Sequence, residues 1–520
     1  MERVIIYFFW FAWLEFLSAT VRYSTQMFQQ NSYRIERYNR WLRQTGEWHS
    51  RANLLALLGA VVTLFTQHWA VLLLLGLWMM VIAIAEFSIE YKIKLAYTMR
   101  VKRLLITRYL LVAVAMVGAH YLEDCYAVPL LLLMTLDYWI ILANAINKPM
   151  EAAITRWYYN DAKRRLRSMP NLIIIGITGS FGKTSTKHFL YRILSEKYNV
   201  LMTPGNFNTT LGVVRTVREH LKPHHEVFIV EMGAKQCGDI KEICDLVCPD
   251  MGIVTSVGEM HLETFGSVEN VARTKFELID ALPEGGFGIV NIDSEAALNH
   301  IKANGIKVNT YAIDNCEADY RATDIVYSSQ RTTFAVEHGA AKDTEYATHL
   351  LGRGNILNIT AALAVAERMG VSVEARRRGV KQIEQVEHRL SMRRNGGITI
   401  LDDAYNSNPT GARMALEVLS GFETAGARYV VTPGFVEMGA KQYDNNRCFG
   451  RDIAASNVDA VFVVNEVNRE AITTGLEAAG YDMARVATVA SFKEAMAELQ
   501  PRLKAGDVVL YENDLPDSFK

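Results

Sequence analysis

The chain has 520 residues, is 50% hydrophobic and 21% charged, and carries a formal net charge of −1. Its length exceeds one ordinary domain, and its charge balance leaves no global basic field to argue for a nucleic-acid partner. Cysteines at 125, 237, 244, 248, 316 and 448 make no C-x-x-C pair, so the spacing does not support a zinc ribbon and reduced thiols are expected.

Apolar runs are concentrated before residue 147. Val4 to Val21 is the first. Ala52 to Ala85 is long enough for two spans, with a polar break at 66–69, and Leu104 to Ala119 and Ala127 to Ile146 follow. Together they predict a membrane domain of about five helices, although Ala52 to Thr66 is short enough to be re-entrant. Arg22, Arg34, Arg37, Arg40, Arg43 and Arg51 lie between the first two spans, and Lys92, Lys94, Arg100, Lys102, Arg103 and Arg108 precede the fourth. The alternate loops hold no Lys or Arg, so both basic loops are expected inside, the N-terminus outside, and everything after Ile146 in the cytoplasm. A cleaved signal peptide over residues 1–20 would put the arginine-rich loop on the wrong side. Glu15 and Asp137 fall near the middle of their spans, where an ionisable group is costly. They mark either a contact with a lipid head group or partner helix, or pairing with a neighbouring span.

A basic linker, 148–170, leads to "NLIIIGITGSFGKTSTKHF" at 171–189. Ile173 to Ile177 is a short β-branched run of the kind that forms a buried parallel strand. Gly179 and Gly182 then allow backbone amides to converge on an anion. Lys183 can reach the β- and γ-phosphates, Thr184 or Ser185 can ligate magnesium, and the helix that follows points its positive end at the phosphates. The expected nucleotide contacts are therefore Thr178, Gly179, Ser180, Gly182, Lys183, Thr184 and Ser185. The strict G-x-x-x-x-G-K-[ST] pattern fails, because Ile177 occupies its first glycine position.

Glu231 ends the strand-like run "VFIVEM", where ligand crevices form in open α/β sheets, and a carboxylate there suits either magnesium or a helix cap. Taken alone, His261 reads as a loop histidine and Lys275 as a solvated lysine. After residue 389 strand-like runs ("ITILDD", "YVVT", "DAVFVV", "VVLY") alternate with helical stretches, which predicts a parallel sheet with helices on both faces.

"TGSFGKTSTK" resembles the ATP loop of the Mur ligases, most closely their D-alanyl-D-alanine-adding (MurF) branch. The resemblance continues in order through "TPGNFNTTLGV" (203–213), "VEMGAKQCGDI" (230–240), "TSVGEMHLETFGSVENVARTKFELI" (255–279), "GRGNILNITAALAVA" (352–366), "EHRL" (387–390) and "LDDAYNSNPTG" (401–411). With the apolar runs marking a membrane domain over 1–147, it implies an ATP-binding central α/β domain over 171–388 and a Rossmann-like C-terminal α/β domain over 389–520.

The same resemblance implies that Lys183, Glu231, His261 and Lys275 carry catalysis. Thr184, Glu231, His261 and a carbamylated Lys275 would hold what the family suggests are two Mg2+ ions. Asn355 would contact the base side of ATP, although the family's usual His-Asn pair reads Gly354-Asn355 here. Arg389 would reach phosphate oxygens bidentately, and Asp403 would bind the ribose. Asn206, Asn208, Thr209, Tyr405 and Asn408 would contact substrate; for Asp403, Tyr405 and Asn408 turn formation or capping is the alternative.

The implied reaction is ATP-driven amide formation through an acyl phosphate, joining a small or lipid-linked carboxylate to an amino-acid or dipeptide amine. The setting is cell-wall or envelope precursor synthesis, with envelope-synthesis proteins as possible partners. The resemblance to poly-γ-glutamate synthases, which also join a membrane segment to a Mur-like ATPase, leaves an amino-acid-polymerising ligase as the alternative. A third reading, a non-catalytic scaffold switched by ATP, is disfavoured by the intact Lys183, Glu231, His261 and Lys275. The final residues lack the lysine-containing ending associated with the D-alanyl-D-alanine ligases, which leaves the acceptor open.

Overall fold

The computed structural model describes residues 1–520 except 47–50, 90, 92, 121–125, 261, 328–330, 406–407 and 516–520. The described chain forms two compact units, Met1–Arg156 and Trp157–Leu515.

The first unit is helical: α1 (Glu2–Gln30), α2 (Ile35–Thr45), α3 (Arg51–Phe65), α4 (Trp69–Ser88), α5 (Met99–His120) and the N-terminal part of α6 (Ala127–Arg167). Among the described residues, α1, α4 and α6 are long and apolar enough to cross a membrane, and the apolar part of α3, Asn53–Phe65, is shorter. The block 52–85 divides at Thr66–His68, where His68 caps α4 by accepting from Ala70 N. Phe9, Trp13, Phe16, Leu72, Met79 and Leu133 build the core of the unit.

Of the basic residues that the sequence reading counted with the loops, Arg22, Arg37, Arg40, Arg43, Arg100, Lys102, Arg103 and Arg108 lie in α1, α2 and α5, and Arg108 is fully buried there. Its guanidinium donates to Val21 O (3.0 Å), Thr25 Oγ1 (2.9 Å), Ser24 Oγ (2.9 Å) and Leu136 O (3.0 Å). Neutral acceptors on α1 and α6 thus replace water, which is how a buried polar group is tolerated. Residues 148–167, read as a linker, are the helical continuation of α6 past Pro149.

The second unit contains two sheets. The larger has strands β1 (Ile173–Thr178), β2 (Val200–Met202), β3 (Val227–Glu231), β4 (Met251–Val254), β5 (Phe287–Asn291), β6 (Asn309–Ala312), β7 (Tyr320–Tyr327), β8 (Thr332–His338) and β9 (Ala341–Thr348). Their order is β2-β3-β1-β4-β5-β6-β7-β8-β9. Pairing is parallel from β2 to β7, and β7, β8 and β9 form an antiparallel meander. The apolar run at β1 is continuous because both its faces are covered: Ile175 and Ile177 join one core, with Phe189 and Leu363, and Ile174 joins the other, with Phe228 and Val230.

The smaller sheet has β10 (Ser391–Asn395), β11 (Ile398–Asp403), β12 (Arg428–Thr432), β13 (Ala460–Val464), β14 (Val486–Val489) and β15 (Val508–Glu512), in the order β10-β11-β15-β12-β13-β14. It is parallel, as the alternating pattern predicts, apart from the antiparallel edge strand β10.

Candidate active site

β1 delivers the chain to a tight loop, and α7 (Lys183–Leu194) begins directly after it. Gly182 has φ +82°, and a Cβ there would lie 2.6 Å from Asn358 Oδ1; a Cβ on Gly179 would lie 2.0 Å from Thr255 Oγ1. Both positions therefore require glycine. The loop is pinned from the segment after β4: Ser180 N donates to Ser256 O (2.9 Å), Phe181 N to Ser256 Oγ (2.9 Å), and Gly258 N to Ser180 Oγ (3.0 Å). Lys183 Nζ donates to Gly179 O (2.8 Å) and Ser180 O (3.2 Å). Burial pushes its ammonium down to about 8, with Glu231 opposing and Arg389 adding to the shift.

Glu231 sits at the end of β3, 1% exposed. Its Oε1 accepts from Thr184 Oγ1 (3.2 Å) and Asn208 Nδ2 (3.1 Å), and its Oε2 lies 2.9 Å from Lys187 Nζ. Burial alone would raise this carboxyl, but Lys187 and Lys183 outweigh it and hold it below the ordinary range. Thr184 and Glu231 thus present a hydroxyl and a carboxylate oxygen to one point beside the phosphate loop. That donor set fits magnesium, which takes a few protein oxygens and keeps several waters.

Lys275, a solvated lysine when read alone, lies in the helix Val268–Asp280 and is 1% exposed. No described residue hydrogen-bonds or ion-pairs with its Nζ. Burial pushes it down to about 7; Lys183 lowers it further, while Asp239 and Glu277 pull upward. His261 lies outside the described residues.

The C-terminal sheet brings Arg389 to the same cleft, which Ser180, Phe181, Gly182, Lys183, Thr184 and Ser185 line from the other side. Arg389 Nη1 donates to Tyr405 O (3.0 Å), and the guanidinium stands 4.6 Å from the centroid of the Tyr405 ring. Tyr405 Oη accepts from Asn206 Nδ2 at 2.6 Å. Asp403 Oδ1 accepts from Leu390 N (2.9 Å), and burial pushes this carboxyl up to about 6 against the pull of Arg389.

Other expected site residues spend their side chains locally. Thr178 Oγ1 donates to Met232 O (2.9 Å) and Asn355 Nδ2 to Leu351 O (2.8 Å). Thr209 and Asn408 are N-caps, accepting from Gly212 N (3.3 Å) and Gly411 N (3.0 Å). Lys187, Asn358, Thr255, Ser256 and Glu259 escaped the sequence reading although they shape the site. Helical spacing held a signal for two of them: Lys187 follows Lys183 by one turn, and Asn358 follows Asn355 by three residues.

The chain is similar to known proteins over both α/β domains. Residues 177–366 match the Mur ligase middle domain, and residues 388–511 match the Mur ligase, glutamate ligase domain. The UDP-N-acetylmuramoyl-tripeptide–D-alanyl-D-alanine ligase of Escherichia coli (strain K12) is 30% identical over 348 residues, covering 66% of this chain and 76% of that one. Its counterpart from Bacillus subtilis (strain 168) is 28% identical over 340 residues, covering 65% and 72%. Among solved structures, MurF ligase from Thermotoga maritima in complex with ADP superposes with a TM-score of 0.61 at 26% identity, covering 69% of this chain and 80% of that one. Two consecutive α/β domains, a phosphate loop and this extent of matching sequence make the chain a member of the Mur ligase family, an ATP-dependent acid–amino-acid ligase.

Proposed function

We propose that the chain is a membrane-bound ligase of cell-wall or envelope precursor synthesis, whose N-terminal helices bring its ATP-dependent domains to a lipid-linked or membrane-emerging carboxylate. The observation that carries the reading is a phosphate loop faced by Arg389 on a chain where the family match begins only at residue 177, after helices long and apolar enough to span a bilayer. The notion of a lipid-side substrate rests on those helices standing, in sequence, where soluble members of the family carry the domain that grips a UDP-linked peptide. In this reading the N-terminus is outside, and the catalytic domains sit on the cytoplasmic side of the membrane.

Lys183 and Arg389 neutralise charge on the phosphoryl group in transfer, and Asp403 orients the nucleoside. Thr184 and Glu231 would hold Mg2+, together with His261. When bound, the metal supplies Lewis-acid polarisation of phosphoryl oxygens. A substrate carboxylate oxygen attacks the γ-phosphorus, the bond to the β–γ bridging oxygen breaks, and ADP leaves with that electron pair. The amine nitrogen then attacks the acyl carbon. Phosphate departs with the carbon–oxygen electron pair, the nitrogen loses its proton to solvent, and an amide remains. Asn206, Asn208 and Tyr405 would contact the substrates in this reading.

Lys275 suits the carbamate that the family resemblance suggests. A buried ammonium with no partner among the described residues is costly, whereas the neutral amine can add CO2 and release a proton, becoming a carboxylate-like oxygen donor.

The test is product formation by the full-length protein in detergent, read by mass spectrometry. UDP-muramoyl tripeptide with D-alanyl-D-alanine, free glutamate, and a lipid extract with amino acids are offered in parallel, each with ATP and Mg2+. An ATP-dependent amide confined to the lipid fraction is the expected result. Equal turnover of the UDP-linked peptide by a chain starting at residue 148 would remove the role proposed for the helices, and polyglutamate would move the assignment to the polymerising class.

A further inference from the structure

The two sheets of the catalytic unit face each other at the carboxyl ends of their parallel strands, and among the described residues two sets of side-chain contacts join segments that follow those strands, one on each side of the phosphate loop; the helices Arg353–Arg368 and Pro409–Gly421 also touch. In the larger sheet the order is β2-β3-β1-β4, with the phosphate loop after β1. Asn206 follows β2 and Glu259 follows β4, so they flank it. In the smaller sheet Tyr405 follows β11, and Lys441 and Asn445 follow β12, on either side of β15.

One contact is neutral, the Asn206–Tyr405 hydrogen bond of 2.6 Å. The other is charged: Lys441 Nζ pairs with Glu259 Oε1, and Asn445 Nδ2 donates to Glu259 Oε2 at 2.8 Å. Both oxygens of Glu259 are therefore taken by the C-terminal domain. Glu259 also directly follows the segment whose Ser256 and Gly258 hold Ser180 and Phe181 in the phosphate loop.

We propose that Glu259 is a positioning residue, the charged half of a two-point clamp that holds the C-terminal domain, and Arg389 with it, in register over the phosphate loop. Glu259 needs no contact with either substrate to do this. It acts through Ser180 and Phe181 on one side and through Lys441 and Asn445 on the other. The inference rests on the assignment of this cleft to nucleotide, because a ligand gripped from both domains reports their register in its affinity. Lys441 is 57% exposed and Glu259 27% exposed at the side chain. An exposed ion pair shifts an equilibrium by roughly fivefold at most, and the shelter of Glu259 with its second donor extends the expected effect to about tenfold.

The experiment measures binding of a non-hydrolysable ATP analogue, AMP-PNP with Mg2+, to the full-length protein in detergent by calorimetry. Glu259→Gln is expected to weaken binding about 3- to 10-fold, and Glu259→Lys more, at an unchanged melting temperature. The reversed pair E259K/K441E is expected to recover most of the loss, a rescue that a merely structural role for either residue would not produce. Wild-type affinity in Glu259→Lys, or a reversed pair no better than the worse single variant, would overturn the clamp. Lys183→Ala separates the two ideas: if it binds AMP-PNP like wild type, the nucleotide assignment has failed; if it loses binding while Glu259 variants keep it, only the clamp has.

Discussion

Lys187 and Glu231 form an ion pair inside the protein, Nζ to Oε2 at 2.9 Å, with side chains 0% and 2% exposed. Lys187 also donates to Gly205 O at 2.6 Å, so one buried ammonium ties α7 to the end of β3 and to the loop after β2. Glu231 reaches Thr184 and Asn208 with its other oxygen. Lys187 thereby sets where that carboxylate stands.

Replacing Lys187 by Met leaves a buried carboxylate short of its nearest countercharge. Removing one member of a buried pair costs about 3–5 kcal/mol, so the variant should unfold at markedly lower denaturant and bind Mg2+–ATP weakly. The double variant K187M/E231Q should regain stability but not activity. Equilibrium unfolding with parallel ATP turnover checks both halves.

Gly182 tests the loop. Alanine there must hold φ +82° and place a Cβ 2.6 Å from Asn358 Oδ1. A left-handed residue with a Cβ costs roughly 1–2 kcal/mol before the clash is counted. Gly182→Ala should weaken nucleotide binding at least about tenfold. Adding Asn358→Ala relieves only the clash, so recovery should be partial. Titration with AMP-PNP measures each step.

Lys275 should exchange CO2. Protein equilibrated with 13C-bicarbonate near pH 8 should show a carbamate carbon resonance that disappears in Lys275→Ala. The same variant should lose ligase activity and regain part of it when acetate is added. An unmodified Lys275 together with no rescue by acetate would remove the carbamate from the mechanism.

Asp403 carries a pH signature. Its ordinary value is 3.8 and burial lifts it to about 6. Below about pH 4 it is protonated folded and unfolded, and it contributes no penalty. As pH rises toward 6 the unfolded chain releases its proton first, and the folded state falls behind in stability. Above 6 the penalty is complete, on the order of 1–2 kcal/mol after allowance for exposure. Asp403→Asn keeps an acceptor for Leu390 N, so it should be more stable than wild type at pH 7.5, with the gap closing as pH falls from 6 to 4. It should also bind ATP less tightly. Melting curves across that range decide it.

Sequence by itself determined the elements whose signals are local. The β-branched run Ile173–Ile177, two glycines and the lysine after them specify strand, loop and helix start, because backbone conformation and burial period are written within a few residues. Apolar composition likewise marks α1, α4 and α6 as long enough to span a membrane.

Tertiary structure alone decided the contacts between residues far apart in the chain. Glu259 and Lys441 are 182 positions apart, and no periodicity connects them. Lys275 reads as a solvated lysine until its helix is packed, and then it is buried without a partner among the described residues. Arg108 reads as part of a basic loop until α1 and α6 close around its guanidinium. In each case the physical reason is the same: charge and hydrogen-bonding capacity belong to a residue, but desolvation and partners belong to the packed structure.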